Sequence, residues 1–375
     1  MSSTDERNSK IINILNDFYA NAVSNDYVID ETDYKKSLDM LFSTTAWGFR
    51  EILLVVIIGM KLDANFRAST SLYDCNPRAI YEGPIKEFLI RKEIPHRKSG
   101  PLNVAKATVG LDVTWAAQRR PSAVAQEVVN LINYIEKDRA RIDKLAISLL
   151  RKLIDESKRL ETLSITINPS SDPIHLSKLC CDLIAKVPDS GNTPQKISAL
   201  LLKSYHRSMC TNVVVTGEED RASVTSTTSK KPGDVNEEST DGTIYKVYEI
   251  TVKPFDLARI RDSYDCVQIY NENTEDSVNE IIVICRTEDC PKEMIKSDFH
   301  LFMGSYSYQD ITYYYWNIYE WVADTLQRMT PKARSNFYYD LNSYISDINT
   351  AESVKKEWQE PVSYTHLRAH ETDSY

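Results

Sequence analysis

At Thr211 the hydrophobic pattern of this chain changes period, and that change limits the folds open to it. Before it, apolar residues recur at helical spacing. Ile11, Ile12, Leu15, Phe18, Tyr19, Ala22 and Val23 form one face, an apolar run covers Ala46 to Met60, and Val124, Val128, Leu131, Ile132 and Ile135 form a stripe after Ser122. Ile197, Leu200, Leu201 and Tyr205 make a further helical face behind the cap signal Thr193-Pro194. From Thr211 to Thr216 β-branched residues take over at period two, and the segments ending at Lys253 and Cys285 repeat that pattern. Within the helical half, Arg67 to Pro121 carries Pro77, Pro84, Pro95, Pro101 and Pro121, which predicts short helices joined by ordered turns.

The expected architecture is therefore α+β: a mainly helical domain over 1–190, then an α/β domain over 191–360 in the order αβββαβ, with helices closing the chain. The helix preceding the first strand runs from Thr193 to Met209, a hairpin spans Gly233-Asp234 to Lys253 with a turn at Asp241-Gly242, a helix covers Phe255 to Tyr270, and a strand covers Glu280 to Cys285. Closing helices are expected at Tyr313 to Leu326 and Pro331 to Ile348. The aromatics of the first (Tyr313, Tyr314, Tyr315, Trp316, Tyr319, Trp321) suit a core or domain interface better than a base-stacking platform.

With 375 residues and 42% hydrophobic composition, the chain can bury a substantial core. The apolar run Ile52 to Met60 is far shorter than the roughly 20 residues a membrane helix needs. The polar N-terminus lacks the apolar stretch of a signal peptide, and seven cysteines lie scattered without a CxxC pair. A cytoplasmic protein with reduced thiols, and no membrane partner, is expected. The net charge is −9, yet Arg78 to Arg120 holds nine Lys/Arg against four acids. Such a local inversion suits a phosphate-facing patch, as it also suits a solvated helix face.

The hairpin carries the candidate chemistry. Phosphodiester hydrolysis needs an activated water and neutralisation of the charge that builds on phosphate, and carboxylates holding Mg²⁺ supply both. Asp234 and Glu249 are spaced for a strand, a turn and a returning strand that sets the two carboxylates side by side. On a continuing strand Glu249, Thr251 and Lys253 share a face, so Lys253 becomes the candidate for orienting water and stabilising the transition state. An exposed hairpin with a Glu-Lys pair accounts for the same pattern without catalysis.

The string Pro232-Gly-Asp-Val235, the strand Tyr248 to Lys253 and the following helix and strand resemble the SacI family of type II restriction endonucleases. So do Tyr73-Asp74, Ile94 to Asn103 and Ala117 to Pro121 in the N-terminal half. The resemblance implies a PD-(D/E)xK nuclease core, Mg²⁺-dependent cleavage of both strands of duplex DNA at a short site, a homodimer, and functional pairing with a DNA methyltransferase of the same specificity. Asp234 matches the first metal-binding acid and Glu249 the second. The pattern places lysine two residues after the second acid, where this chain has Thr251; Lys253 lies one same-face step further, at about 3.3 Å per strand residue. The helix from Thr193 offers no glutamate.

His96, Arg97, Lys98, Arg119 and Arg120, in the basic block, are the candidates for DNA contact, because basic side chains position phosphates and arginine reads guanine edges. A structure-specific or repair nuclease, and a catalytically inactive DNA-binding module, are the alternatives. Residues Pro361 to Tyr375 (PVSYTHLRAHETDSY) resemble a translated sequencing adapter and are set aside as an artefactual tail, so that the natural C-terminus is expected to be missing.

Overall fold

The computed structural model describes residues 3–24, 26–97, 100–106, 108–163, 169–217, 231–274 and 277–359. The chain divides into two compact units, Met1–Thr162 and Leu163–Tyr375. Lys98, most of the Ser/Thr/Lys-rich link before the hairpin, and the 361–375 tail lie outside the described residues.

The first unit is helical: α1 (Ser3–Val23), α2 (Lys35–Phe42), α3 (Gly48–Leu62), α4 (Pro77–Ile80), α5 (Lys86–Arg91), α6 (Gly100–Ala105), α7 (Val113–Gln118), α8 (Ser122–Lys137) and α9 (Ile142–Glu161). α3 is buried on every side from Gly48 to Met60, as its uninterrupted apolar run requires. Two charged residues are carried inside with it, and each is hydrogen-bonded. Arg50 donates to the carbonyls of Leu41 (2.9 Å) and Thr44 (2.7 Å) and stacks between Phe42 and Trp47. Glu51 accepts from the Tyr81 hydroxyl at 2.7 Å and from the backbone N–H of Arg97 at 2.5 Å. The Pro-rich stretch folds as short helices and turns, as its composition predicts; Asn76 caps α4 and Pro77 opens it.

The second unit holds α10 (Pro173–Lys186), α11 (Asn192–Ser208), β1 (Val214–Thr216), β2 (Val235–Glu238), β3 (Ile244–Ile250), α12 (Leu257–Glu272), β4 (Glu280–Cys285), β5 (Ile295–Lys296), β6 (Phe302–Tyr308), β7 (Ile311–Asn317), α13 (Ile318–Arg328) and α14 (Pro331–Ser346). The boundary between units falls before the expected residue 190, because Leu176, Leu179 and Leu183 of α10 pack in the same core as α11, α13 and α14.

The seven strands form one mixed sheet in the order β1-β2-β3-β4-β7-β6-β5. β1, β2 and β3 are antiparallel neighbours, β3, β4 and β7 run parallel, and β7, β6 and β5 are antiparallel again. α12 is the crossover that parallel β3 and β4 require. One face of the sheet buries Val235, Tyr248, Ile250 and Ile284 with Leu201, Trp321 and Phe337 of the helical layer. The other buries Val247, Val283, Tyr313 and Tyr315 with Phe255, Ile260 and Val267 around α12. The fold is α+β, and from Asn192 to Cys285 its elements run helix, three strands, helix, strand.

One expected helix is a strand. The segment from Tyr313 was read as the start of a helix to Leu326, but Ile311 to Asn317 pairs with both β4 and β6, and helix begins only at Ile318. Ile311, Tyr313 and Tyr315 are buried in alternation, and consecutive aromatics pack well on a pleated surface. The change of state occurs at Asn317, whose Oδ1 accepts the N–H groups of Tyr319 (3.0 Å) and Glu320 (3.2 Å) as an N-cap.

Candidate active site

The hairpin places its two acids together. Val235 pairs with Tyr248 across β2 and β3, so Asp234, one residue earlier, lies opposite Glu249, one residue later. Asp234 Oδ2 accepts the backbone N–H of Ile250 at 2.9 Å, which anchors its carboxylate beside the β3 backbone. Tyr248 and Ile250 face the α11 side of the sheet, so alternation turns Glu249 to the α12 side. There it is 5% exposed, and Ser263 Oγ donates to its Oε1 at 3.2 Å.

One further side chain of α12, Arg259, completes the arrangement. Asp256 caps the helix by accepting the N–H groups of Ala258 and Arg259, both at 3.1 Å. Arg259 and Ser263, four apart, then share a helix face. Arg259 Nη1 donates to Thr251 Oγ1 at 2.5 Å, and its guanidinium lies 5.1 Å from the Phe255 ring centroid. Burial pushes the Asp234 carboxyl up to about 6 against the opposing pull of the Ile250 N–H and the Arg259 charge. Burial, reinforced by the Asp234 charge, pushes Glu249 higher, to about 8, with Arg259 and Ser263 acting the other way. Two carboxyls so close together resist ionising as a pair unless a cation joins them.

The loop ends that enter the hairpin are held from α11. Gln195, 2% exposed, donates through Nε2 to the carbonyls of Gly217 and Asp234, each at 3.3 Å. Gly217 has φ +97°, and a Cβ there would lie 2.1 Å from the Asp234 carbonyl oxygen, so only glycine lets the two strands approach. At Gly233 a Cβ would lie 2.5 Å from Val247 Cγ1. On the Asp234 face the next side chain along β2 is Asn236, fully buried between Thr216 and Val247 of the adjoining strands. Neither polar atom of its amide has a hydrogen-bond partner.

Lys253 does not take the expected place. β3 ends at Ile250, and Thr251 to Lys253 bends away: Thr251 Oγ1 accepts the Lys253 N–H at 3.0 Å, and Arg286 captures the Val252 carbonyl at 2.8 Å. Pro254, which has no N–H to extend a ladder, follows at once. Lys253 stands exposed, and the cation beside the acids is Arg259, which the sequence reading missed. Asp256 as an N-cap was the available signal, since a helix starting at Leu257 turns Arg259 and Ser263 to one side. Nothing in the sequence ranks Arg259 above Arg261.

The expected DNA-contacting residues belong to the first unit. His96 is half-buried with Nδ1 3.0 Å from the Ile94 carbonyl, and Arg97 lies 5.6 Å from the Trp47 ring centroid. Arg119 Nη2 donates to the Lys106 carbonyl at 3.0 Å and to Thr108 Oγ1 at 2.9 Å, which ties its side chain to both residues. Arg120 is exposed, with Nη1 donating to the carbonyls of Arg119 (2.9 Å) and Ala117 (3.2 Å). No helix among the described residues is long and apolar enough to cross a membrane.

No protein-family model matches the chain, and no curated protein is significantly similar to it.

Proposed function

We propose that the chain is a type II site-specific deoxyribonuclease that cleaves both strands of duplex DNA by Mg²⁺-dependent phosphodiester hydrolysis. It acts as a homodimer in the cytoplasm, within a restriction-modification system. The observation that carries the reading is the pairing of Asp234 with Glu249 across β2 and β3 under the Arg259 guanidinium. The donor set suits magnesium: two hard carboxylate oxygens, both pushed toward protonation in the absence of a cation, on a hairpin fixed from behind. The resemblance of the hairpin and its neighbours to the SacI family supports the same assignment.

Asp234 and Glu249 would hold the ion, which when bound would supply stabilisation of charge on the phosphate and acidification of water. The Ile250 N–H and the Ser263 hydroxyl fix one oxygen of each acid. Arg259 takes the part that the family pattern gives to lysine. It reaches from α12 onto Thr251, the position where that lysine stands, and brings a permanent charge to the developing phosphate dianion. Lys253 is left as a phosphate-contacting residue on the exposed bend.

Purified protein incubated with mixed-sequence DNA and Mg²⁺ is expected to give discrete fragments that disappear in EDTA and in Asp234→Ala or Glu249→Ala. Unchanged cleavage in both variants overturns the site. The displacement of Lys253 from the strand favours a second reading, an inactive DNA-binding module, which predicts duplex binding without metal-dependent cleavage.

A further inference from the structure

We propose that Cys285 and Cys290 form a reversible dithiol site whose substrate class is hydroperoxides. Cys285 ends β4, fully buried, and Cys290 follows one short helical turn, Thr287–Asp289, half-buried. Their sulfurs stand 3.7 Å apart. A disulfide needs about 2.05 Å, so a small side-chain rotation joins them.

The turn that brings them together is braced. Arg286 bonds both oxygens of Asp289 (Nε to Oδ2 2.6 Å, Nη2 to Oδ1 3.1 Å) and reaches the Val252 carbonyl at 2.8 Å. Within the pair the roles are unequal. Cys285 lies deep in the core and Cys290 nearer the surface; contact with the Cys285 sulfur and the Lys296 charge shift Cys290 toward its thiolate, while burial, the charges of Asp289 and Glu288, and the reach of Cys290 Sγ to the Arg286 carbonyl (3.8 Å) oppose it. By contrast burial pushes Cys75, Cys180 and Cys181 up, so each is a poor nucleophile.

The chemistry balances with the peroxide as sole oxidant. The Cys290 thiolate attacks one peroxide oxygen, the O–O bond breaks, and the departing oxygen takes a proton to leave as water or an alcohol. Cys290 is then a sulfenic acid. The Cys285 sulfur attacks Cys290 Sγ, the S–S bond forms as the S–O bond breaks, and the hydroxide leaves with the Cys285 proton as water. Two thiols have given up two electrons, and a dithiol reductant restores them. In a reducing compartment such a disulfide is transient, which suits sensing rather than bracing.

The turn also touches the hairpin acids' surroundings. The Asp289 carbonyl accepts the Phe255 N–H at 2.8 Å, and the Phe255 ring lies beneath Arg259. The dithiol chemistry itself stands apart from any nuclease activity.

The full chain, reduced and desalted, is treated with stoichiometric hydrogen peroxide, alkylated under denaturing conditions and digested with trypsin. Cleavage after Arg286 separates the two cysteines, so the expected product is a disulfide joining fragment Asp262–Arg286 to fragment Thr287–Lys292, absent after dithiothreitol. Because Cys266 shares the first fragment, Cys266→Ser must retain the cross-link. Cys285→Ser is expected to accumulate a sulfenic acid at Cys290 that a dione probe traps, whereas Cys290→Ser leaves Cys285 unmodified. Alkylation of both Cys285 and Cys290 at a peroxide dose that oxidises exposed Cys210, or a cross-link to Cys266 instead, overturns the proposal; neither outcome depends on the variants folding.

Discussion

The Arg259 guanidinium donates to the Thr251 hydroxyl at 2.5 Å, eight residues back along the chain and across the β3–α12 bend. Thr251 stands two residues after Glu249, where a nuclease of this pattern would carry lysine. Under the proposed nuclease reading, the charge such a lysine would bring comes from the following helix.

Arg259→Ala is expected to lower single-turnover cleavage by roughly 10²–10³-fold, the usual cost of removing one preorganised charge-stabilising donor. Arg259→Lys retains part of the rate, and Thr251→Lys on the Arg259→Ala background recovers part of it by placing the ammonium at the pattern position. Lys253→Ala changes cleavage by only a few-fold. A Lys253→Ala loss as large as that of Arg259→Ala would return the role to the strand-end lysine.

The acid pair sets a pH dependence. Both folded pKa values, about 6 and about 8, lie above the ordinary carboxylate range, so between about pH 4 and pH 8 the folded state binds more protons than the unfolded one. Stability from this source is complete below pH 4 and is lost as pH rises toward 8. Thermal melts without divalent ions should therefore fall in Tm by several degrees over that window. Mg²⁺ should restore more at pH 8 than at pH 5, and Glu249→Gln should flatten the profile. A melt as steep in Glu249→Gln as in the parent counts against the pair as its source.

Gln195 offers a stability test separate from activity. Gln195→Ala leaves the Gly217 and Asp234 carbonyls without their shared donor and should cost about 1–3 kcal/mol in urea unfolding. Gln195→Glu replaces that donor with an acceptor and should cost at least as much. A variant as stable as the parent would show that the two loop ends hold each other.

Adjacent arginines should behave differently. Arg119→Ala removes the bonds to Lys106 and Thr108 and should lower stability by about 1 kcal/mol. Arg120→Ala, at an exposed position, should leave Tm unchanged and weaken DNA binding evenly across sequences, with a salt slope reduced by about one. An unchanged slope removes Arg120 from the DNA contacts.

Where local pattern decides the outcome, the chain is legible. The buried α3, the Pro-broken stretch after Arg67 and the hairpin about Asp241-Gly242 follow from apolar period and turn chemistry alone. Misreadings arise where a tertiary partner decides. Tyr313 to Trp316 fits a helix face as well as a strand until β4 and β6 are beside it. Lys253 is on the right parity for the site, and the Thr251 hydroxyl, the capture of the Val252 carbonyl by Arg286 and Pro254 together turn it away. Asp234 and Glu249 were readable because one hairpin positions both. Arg259 was not, because its place depends on how α12 packs against the sheet.

The order of the strands also implies an order of assembly. β2 and β3 close through a tight turn in which Gly242 bonds back to Ser239 at 3.1 Å, so the register that pairs the two acids costs little loop entropy. β3 meets β4 only with α12 laid across the sheet between them, and β4 meets β7 over a span of similar length. Contacts of short range form early and those of long range late. The register that pairs the acids thus rests on contacts of short range, whereas the place of Arg259 beside them rests on the packing of α12.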